Sequence, residues 1–193
     1  ITALVLLAIL LPALFYPSAV AFTWVVLALM AAGAWEWGRV SGYGQAGSLA
    51  VGAACVALCG ASWALGWIDQ PLTALWIVGG GLWVLGAAWL LHAGVPGWAR
   101  IPAALRLVAG VLALWLAWLA VVQARHLGVN FLLSVLVLVW VADIFAYFAG
   151  RAFGLRFTKN KLAPSISLGK SWEGEWGGLA GVVVLAFVWT AAD

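Results

Sequence analysis

Charge is the scarcest property of this sequence. Nine lysine or arginine and six aspartate or glutamate residues make up 8% of the chain, against an apolar share of 67%. Soluble domains carry about a quarter of their residues charged. A water-soluble fold of 193 residues has too little interior to hide that much apolar surface, so the surrounding solvent is lipid. Cysteine is nearly absent as well. Cys55 and Cys59 lie four apart in an apolar stretch, with no nearby histidine or second cysteine pair. That excludes a zinc cluster and leaves buried packing of small residues. No acidic or basic tail, low-complexity tract or long linker interrupts the chain, which therefore reads as a single transmembrane domain, 1–193. The opening run, "ITALVLLAILLPALFYPSAVAF", lacks the basic start of a signal peptide and is followed by further spans, so it reads as a membrane helix.

What is present is a series of apolar runs. A bilayer core needs about 20 apolar residues per helix. The runs predict an all-α polytopic membrane protein with about seven helices, near 1–16, 19–37, 48–68, 72–92, 104–124, 129–150 and 176–193. Loops after the second, fourth and sixth helices, with their adjoining turns, hold Arg39, Arg100, Arg106, Arg151, Arg156, Lys159, Lys161 and Lys170. The opposite side holds only Arg125. Eight cations against one place those loops and the N-terminus in the cytoplasm. The net charge of +3 is thus mainly a topology signal, with attraction to anionic headgroups as a secondary effect. A nucleic-acid partner is not expected.

Two segments concentrate chemistry. In "FLLSVLVLVWVADIFAYFAGR", Asp143, Tyr147 and Arg151 recur every four residues, forming one stripe on a helix. An aspartate in a membrane helix is costly and normally faces a cavity or a partner. On helix position alone, pairing with a cation to hold helices together is an equal alternative. Beside the stripe, Ala142, Ala146 and Gly150 form a small-residue ridge suited to close packing. The long polar stretch 151–175, a basic cytoplasmic loop, ends in "SISLGKSWEGEWGG". Its Gly169-Lys170-Ser171 looks like the end of a phosphate-binding P-loop, but the glycine that motif needs five residues earlier is Pro164. For Arg156 and Lys159, topology alone is the simpler explanation. It does not explain Ser167, Lys170, Ser171 and Glu173 gathered within seven residues at a glycine-rich helix start. Gly174 with Gly178, and Gly177 with Gly181, repeat at the spacing of a helix–helix contact. The sixth helix is the expected partner, which would gather Asp143, Lys170, Glu173 and hydroxyls at a helix N-terminus that favours phosphate. Hard oxygens beside phosphate suggest Mg²⁺.

Taken together, these segments resemble the phosphatidate cytidylyltransferases (CDP-diacylglycerol synthases). That family carries W-x-x-D-x-x-A-Y-x-x-G-R-x-F-G and then K-L-A-P-x-x-S-P-x-K-T-x-E-G. The first corresponds here to Trp140, Asp143, Ala146, Tyr147, Gly150, Arg151, Phe153 and Gly154. The second corresponds to Lys161 to Pro164, Ser167, Lys170, Ser171, Glu173 and Gly174. "AWEWGRVSG" at 34–42 is similar to the family's early A-W-E-W-x-x-L-x-G segment. The match covers about a third of the chain. Departures are Ile144 and Phe145 for the usual Ser-Gly, Leu168 for proline, Ser171 for threonine, and a stretch before Lys161 about four residues longer than expected. The C-terminal signature with its K-D, H-G-G and D-R-x-D elements is missing, so the chain is expected to be the N-terminal and central part of a longer enzyme and inactive alone.

The resemblance implies an enzyme of phospholipid biosynthesis that joins CTP to phosphatidic acid, giving CDP-diacylglycerol and pyrophosphate with a divalent cation. The expected catalytic residues are Asp143, Lys170 and Glu173, with Asp143 and Glu173 holding Mg²⁺. The expected substrate-binding residues are Tyr147, Arg151, Lys161, Ser167, Ser171 and Gly174. CTP is water-soluble and phosphatidate is anchored by its chains, so they would meet at the cytoplasmic face of the membrane, the inner membrane in a bacterium. The remaining candidate partners are the bilayer and a second copy in a homodimer. Two alternatives stand beside this reading: a CTP-dependent polyprenol or phytol kinase-like enzyme, and a transporter using Asp143 as a coupling site. Transporter folds often show repeated halves, and none is visible here.

Overall fold

The computed structural model describes residues 2–164, 166–167 and 169–192. Ile1, Ser165, Leu168 and Asp193 lie outside the described residues, and so does the departure at Leu168. Among the described residues seven α-helices follow one another: α1 (Thr2–Phe15), α2 (Ala19–Val40), α3 (Gln45–Ala64), α4 (Thr73–Arg100), α5 (Ala103–Leu127), α6 (Val129–Phe153) and α7 (Trp172–Ala192). A 3₁₀ turn, Trp67–Asp69, separates α3 from α4. Among the described residues the extended pairing is one isolated antiparallel bridge between Lys161 and Ser171. Six helices among the described residues, α2 to α7, are long and apolar enough to cross a membrane, and α1 is a shorter apolar helix. The expected all-α architecture is the observed one.

Helix limits follow local chemistry. The Ser18 hydroxyl accepts from the Val20 N–H at 3.3 Å and caps α2. At its other end Gly42 takes φ +90° and redirects the chain. Helix α4 outruns the expected limit near 92, because its break is internal. Gly94 leaves helical geometry at φ 63°, ψ −167°, and the chain then resumes its helix through Pro96 to Arg100. Helix α7 begins four residues earlier than the expected 176, since Ser171 caps it and Glu173 occupies its first turn.

The chain divides into two compact units, Ile1–Phe131 and Leu132–Asp193. In the first, α2 packs along both α3 and α5, α3 also packs on α5, and α1 lies on α2. Phe22, Val26 and Leu27 of α2, Cys55 and Cys59 of α3, and Trp118, Leu119 and Val122 of α5 are buried. The α3 face is made of small side chains at 3–4 residue spacing: Ser48, Gly52, Cys55, Cys59 and Ser62. Both cysteines are free and buried, serving as packing residues. Several polar groups of this unit are satisfied internally. Arg125, 8% exposed, donates from Nε to the Leu14 carbonyl at 2.9 Å and from an Nη to the Tyr16 carbonyl at 2.7 Å, where α1 has run out of N–H donors. Gln123 donates to the carbonyls of Trp67 and Gln70 and accepts from the Trp76 indole at 3.0 Å.

The second unit is built on α6 and α7. Their contact is the small-residue seam that the spacing predicts. Backbone approaches so closely that a side chain on Gly174 would meet the Ala146 carbonyl at 3.0 Å and Gly150 Cα at 3.4 Å. One on Gly178 would meet the Ala142 carbonyl at 2.9 Å, and one on Gly177 would overlap the Ala149 methyl. In lipid, where apolar burial supplies little, such contact between helix backbones is a main source of association.

Candidate functional site

The cleft of the second unit is framed by one face of α6, the first turn of α7 and the loop that joins them. Asp143, Ala146, Tyr147, Gly150 and Arg151 line it from α6. Leu162, Ser167, Gly169 and Lys170 line it from the loop, and Ser171, Gly174 and Glu175 from the start of α7. Its volume is about 600 Å³, within the range of small-molecule sites. The α6 residues follow the four-residue stripe, and Asp143 lies ten residues before the end of α6 at Phe153, about 15 Å of helix at 1.5 Å per residue.

The loop is held in shape by backbone pairing. Leu162 N–H donates to the Lys170 carbonyl at 3.3 Å, beside the Lys161–Ser171 bridge. Ser167 N–H donates to the Ala163 carbonyl at 2.8 Å. Ser171 is buried and accepts from Gly174 N–H at 3.2 Å through its hydroxyl oxygen, as a helix N-cap. Gly150, Gly154 and Gly174 all leave room for that hydroxyl, which any side chain there would contact at 3.4–3.5 Å.

Asp143, Arg151, Lys170 and Glu175 are all exposed. Among the described residues none of them forms an ion pair; the two present are Arg39–Glu36 and His126–Asp69, in the first unit. Arg151 instead donates to the Tyr147 hydroxyl at 3.0 Å. Asp143 thus has no ion-pair partner among the described residues.

Two expected site residues sit elsewhere. Glu173 does not line the cleft: its carboxylate is turned into the 155–158 loop. It accepts from the N–H groups of Leu155 at 3.2 Å, Phe157 at 3.0 Å and Thr158 at 2.8 Å, and from the Thr158 hydroxyl at 2.9 Å. Four donors on one buried carboxylate leave little for a metal ion, and they hold Leu155 at φ 63°, a conformation unfavourable for a branched side chain. The long stretch before Lys161 is thus wrapped around Glu173. Lys161 contributes its backbone to the bridge with Ser171 and is not part of the cleft lining. The other expected residues, Asp143, Tyr147, Arg151, Ser167, Lys170, Ser171 and Gly174, share the cleft. Glu175 joins them and was missed. The signal for it was present: Ser171 and Glu175 are one helical turn apart, so once Ser171 faces the cleft, Glu175 does too.

The early segment 34–42 covers the end of α2 and the turn after it, in the first unit. There Arg39 pairs with Glu36 at 3.1 Å and lies over the Trp35 ring at 5.1 Å from its centroid.

A family model described as "Cytidylyltransferase family" matches residues 1–192. The chain is 39% identical over 189 residues to a phosphatidate cytidylyltransferase of Pseudomonas aeruginosa, covering 93% of this chain and 65% of the relative. A phosphatidate cytidylyltransferase of Haemophilus influenzae is 59% identical over 61 residues, 32% of this chain and 20% of the relative. One from Thermotoga maritima is 42% identical over 65 residues, 34% of this chain and 23% of the relative. The chain therefore spans less than two thirds of the curated relatives it matches. No solved structure gives a significant match. With the sequence segments, the apolar helices and the family match in agreement, the chain is an integral membrane protein that belongs to the cytidylyltransferase family.

Proposed function

We propose that this protein takes part in joining CTP to phosphatidic acid, giving CDP-diacylglycerol and pyrophosphate. The observation that carries the proposal is the cleft of the second unit, where Lys170, Arg151, Asp143 and Glu175 meet without pairing to one another. Unpaired charges of both signs at the start of a membrane helix suit a ligand bearing phosphates and a counter-ion. Family membership favours cytidylyl transfer over the kinase-like and transporter alternatives.

The reaction is an in-line displacement. A phosphatidate phosphate oxygen bonds to the α-phosphorus of CTP as the bond to the bridging oxygen breaks, and pyrophosphate leaves with that electron pair. Such transfers depend on positioning and charge neutralisation. Lys170 neutralises phosphate charge, while Arg151, Ser167 and Ser171 donate hydrogen bonds to phosphate oxygens. Tyr147 holds the Arg151 guanidinium through their 3.0 Å contact, and Gly174 lets α7 approach α6 so that Lys170 and Asp143 face one space. Lys161 and Glu173 act one step away, by fixing the loop.

Among the described residues no three metal-binding side chains cluster, so an all-protein cage is not the arrangement. Two carboxylates facing one cleft, Asp143 and Glu175, do fit Mg²⁺, which commonly uses one or two carboxylates and completes its shell with substrate phosphates and water. Asp143 and Glu175 would hold the ion, which when bound would offset phosphate charge. The eight-to-one excess of cations on one side supports a cytoplasmic cleft, as substrate access requires.

The test supplies membranes containing the full-length protein with phosphatidic acid and CTP labelled in the cytosine ring or, in a parallel reaction, at the γ-phosphate. Cytosine label appearing in chloroform-extractable lipid, with pyrophosphate released in equal amount, supports the proposal. Transfer of γ-phosphate alone to a lipid alcohol would identify a kinase and overturn it.

A further inference from the structure

A small cavity in the first unit has no part in the cleft chemistry. It is lined by Trp37, Val40 and Ser41 at the end of α2, by Trp98 of α4, and by Ala103 and Arg106 in the first turn of α5, with a volume of about 160 Å³. Its walls are fixed. The Trp37 indole donates to the Leu107 carbonyl at 3.2 Å, and its ring occupies the place a side chain at Gly110 would need. Trp98 meets Trp37 edge-on, ring centroids 6.3 Å apart. Arg106 lies over Trp98 with its guanidinium carbon 5.6 Å from the ring centroid.

Arg106 is the unexplained member. Its Nε is buried and makes no hydrogen bond, and among the described residues no carboxylate pairs with it. A half-buried guanidinium costs stability unless an acceptor completes it. The aromatic face orients the guanidinium, and because Nε is sealed, the donors offered to the cavity are its terminal nitrogens. A topology signal alone explains a cation near a span end, but not one laid on an aromatic wall with no carboxylate partner among the described residues.

We propose that this cavity binds the phosphate of an anionic phospholipid, held by Arg106 with the Ser41 hydroxyl as a second donor. Three observations select this occupant. The space suits a phosphate group and is too small for a nucleotide, whose sites run to roughly 300 Å³ or more. Arginine matches phosphate oxygens in a planar fork. Val40 on the cavity wall and Leu105 beside Arg106 are 72% and 58% exposed, giving acyl chains an apolar surface that a soluble phosphate would not use. The site lies at the ends of three spans, where lipid headgroups sit, and it needs no assumption about the cleft of the second unit.

Native mass spectrometry of the intact protein in detergent, titrated with phosphatidylglycerol, tests this. Arg106→Gln is expected to weaken the most tightly held lipid about tenfold, while Arg100→Gln, a nearby cation outside the cavity, stays within twofold of wild type. Arg106→Lys keeps the charge but lacks the planar fork, and is expected to lose several-fold. Unchanged retention in either Arg106 variant, or equal loss in Arg100→Gln, would reduce the effect to general surface charge and overturn the proposal. Displacement of the lipid by millimolar pyrophosphate or CTP would reassign the cavity to a soluble phosphate and also overturn it. Because the readout is bound lipid, it stands whether or not cytidylyl transfer is confirmed.

Discussion

Three polar side chains of the first unit and four charged ones of the second are treated in opposite ways. In the first, Arg125, Gln123 and Ser62 are each joined to backbone or side-chain partners of neighbouring elements. In the second, Asp143, Arg151, Lys170 and Glu175 face one cleft without pairing. Internal satisfaction stabilises a membrane fold, because an orphan polar group in lipid costs several kcal/mol. Unpaired charge does the reverse and persists where a ligand completes it. Glu173 marks the boundary between the two behaviours: it lies in the second unit but acts like a residue of the first, with every oxygen committed to a loop.

That contrast can be broken or sharpened by substitution. In the full-length protein, Lys170→Met should show the largest effect, lowering transfer of cytidine to lipid by about 10³-fold while carbonate extraction still finds the protein in the membrane. Wild-type turnover in that variant would remove the open cleft's claim to the chemistry. Next come the two neighbouring glutamates. Glu175→Gln should raise the Mg²⁺ concentration needed for half-maximal activity at least about tenfold. Glu173→Gln should leave that concentration unchanged, lower turnover, and expose 155–158 to protease. If the two variants exchanged behaviour, the assignment of roles would be reversed.

In the first unit, Arg125→Met removes two charge-assisted hydrogen bonds from the end of α1. About 2–4 kcal/mol of stability should go with them, read as a lower thermal midpoint in detergent with turnover at low temperature unaffected. The smallest effect belongs to Trp115→Phe, which deletes the 2.9 Å indole bond to Ser62. About 1 kcal/mol is expected, and activity within twofold of wild type. A large activity loss from either would mean that the first unit does more than support the fold.

Much of this was legible without coordinates. Hydropathy fixes the number of helices because a lipid solvent demands about 20 apolar residues for each crossing. Four-residue spacing of glycine and alanine announced the α6–α7 seam because a helix brings those positions to one face. Limits of helices were less legible. Gly94 interrupts α4 through a single backbone conformation, and a lone glycine in an apolar run carries no mark of which conformation it takes. Glu173 was misplaced for a similar reason. Its motif neighbours face the cleft, but at one helical step from Gly174 its own side chain points about 100° away from that residue's direction, toward donors whose position depends on the loop.

Composition and periodicity alone thus determined a polytopic helical membrane protein, a seam of small residues, and a charged segment suited to phosphate. Those follow from one-dimensional rules: apolar length against bilayer thickness, and residue spacing against helical pitch. Which carboxylate faces the cleft and which one holds the loop was decided only by the tertiary structure. Direction of a side chain at a helix start depends on where the preceding loop places its free N–H groups, and loop 155–158 brings three of them to Glu173.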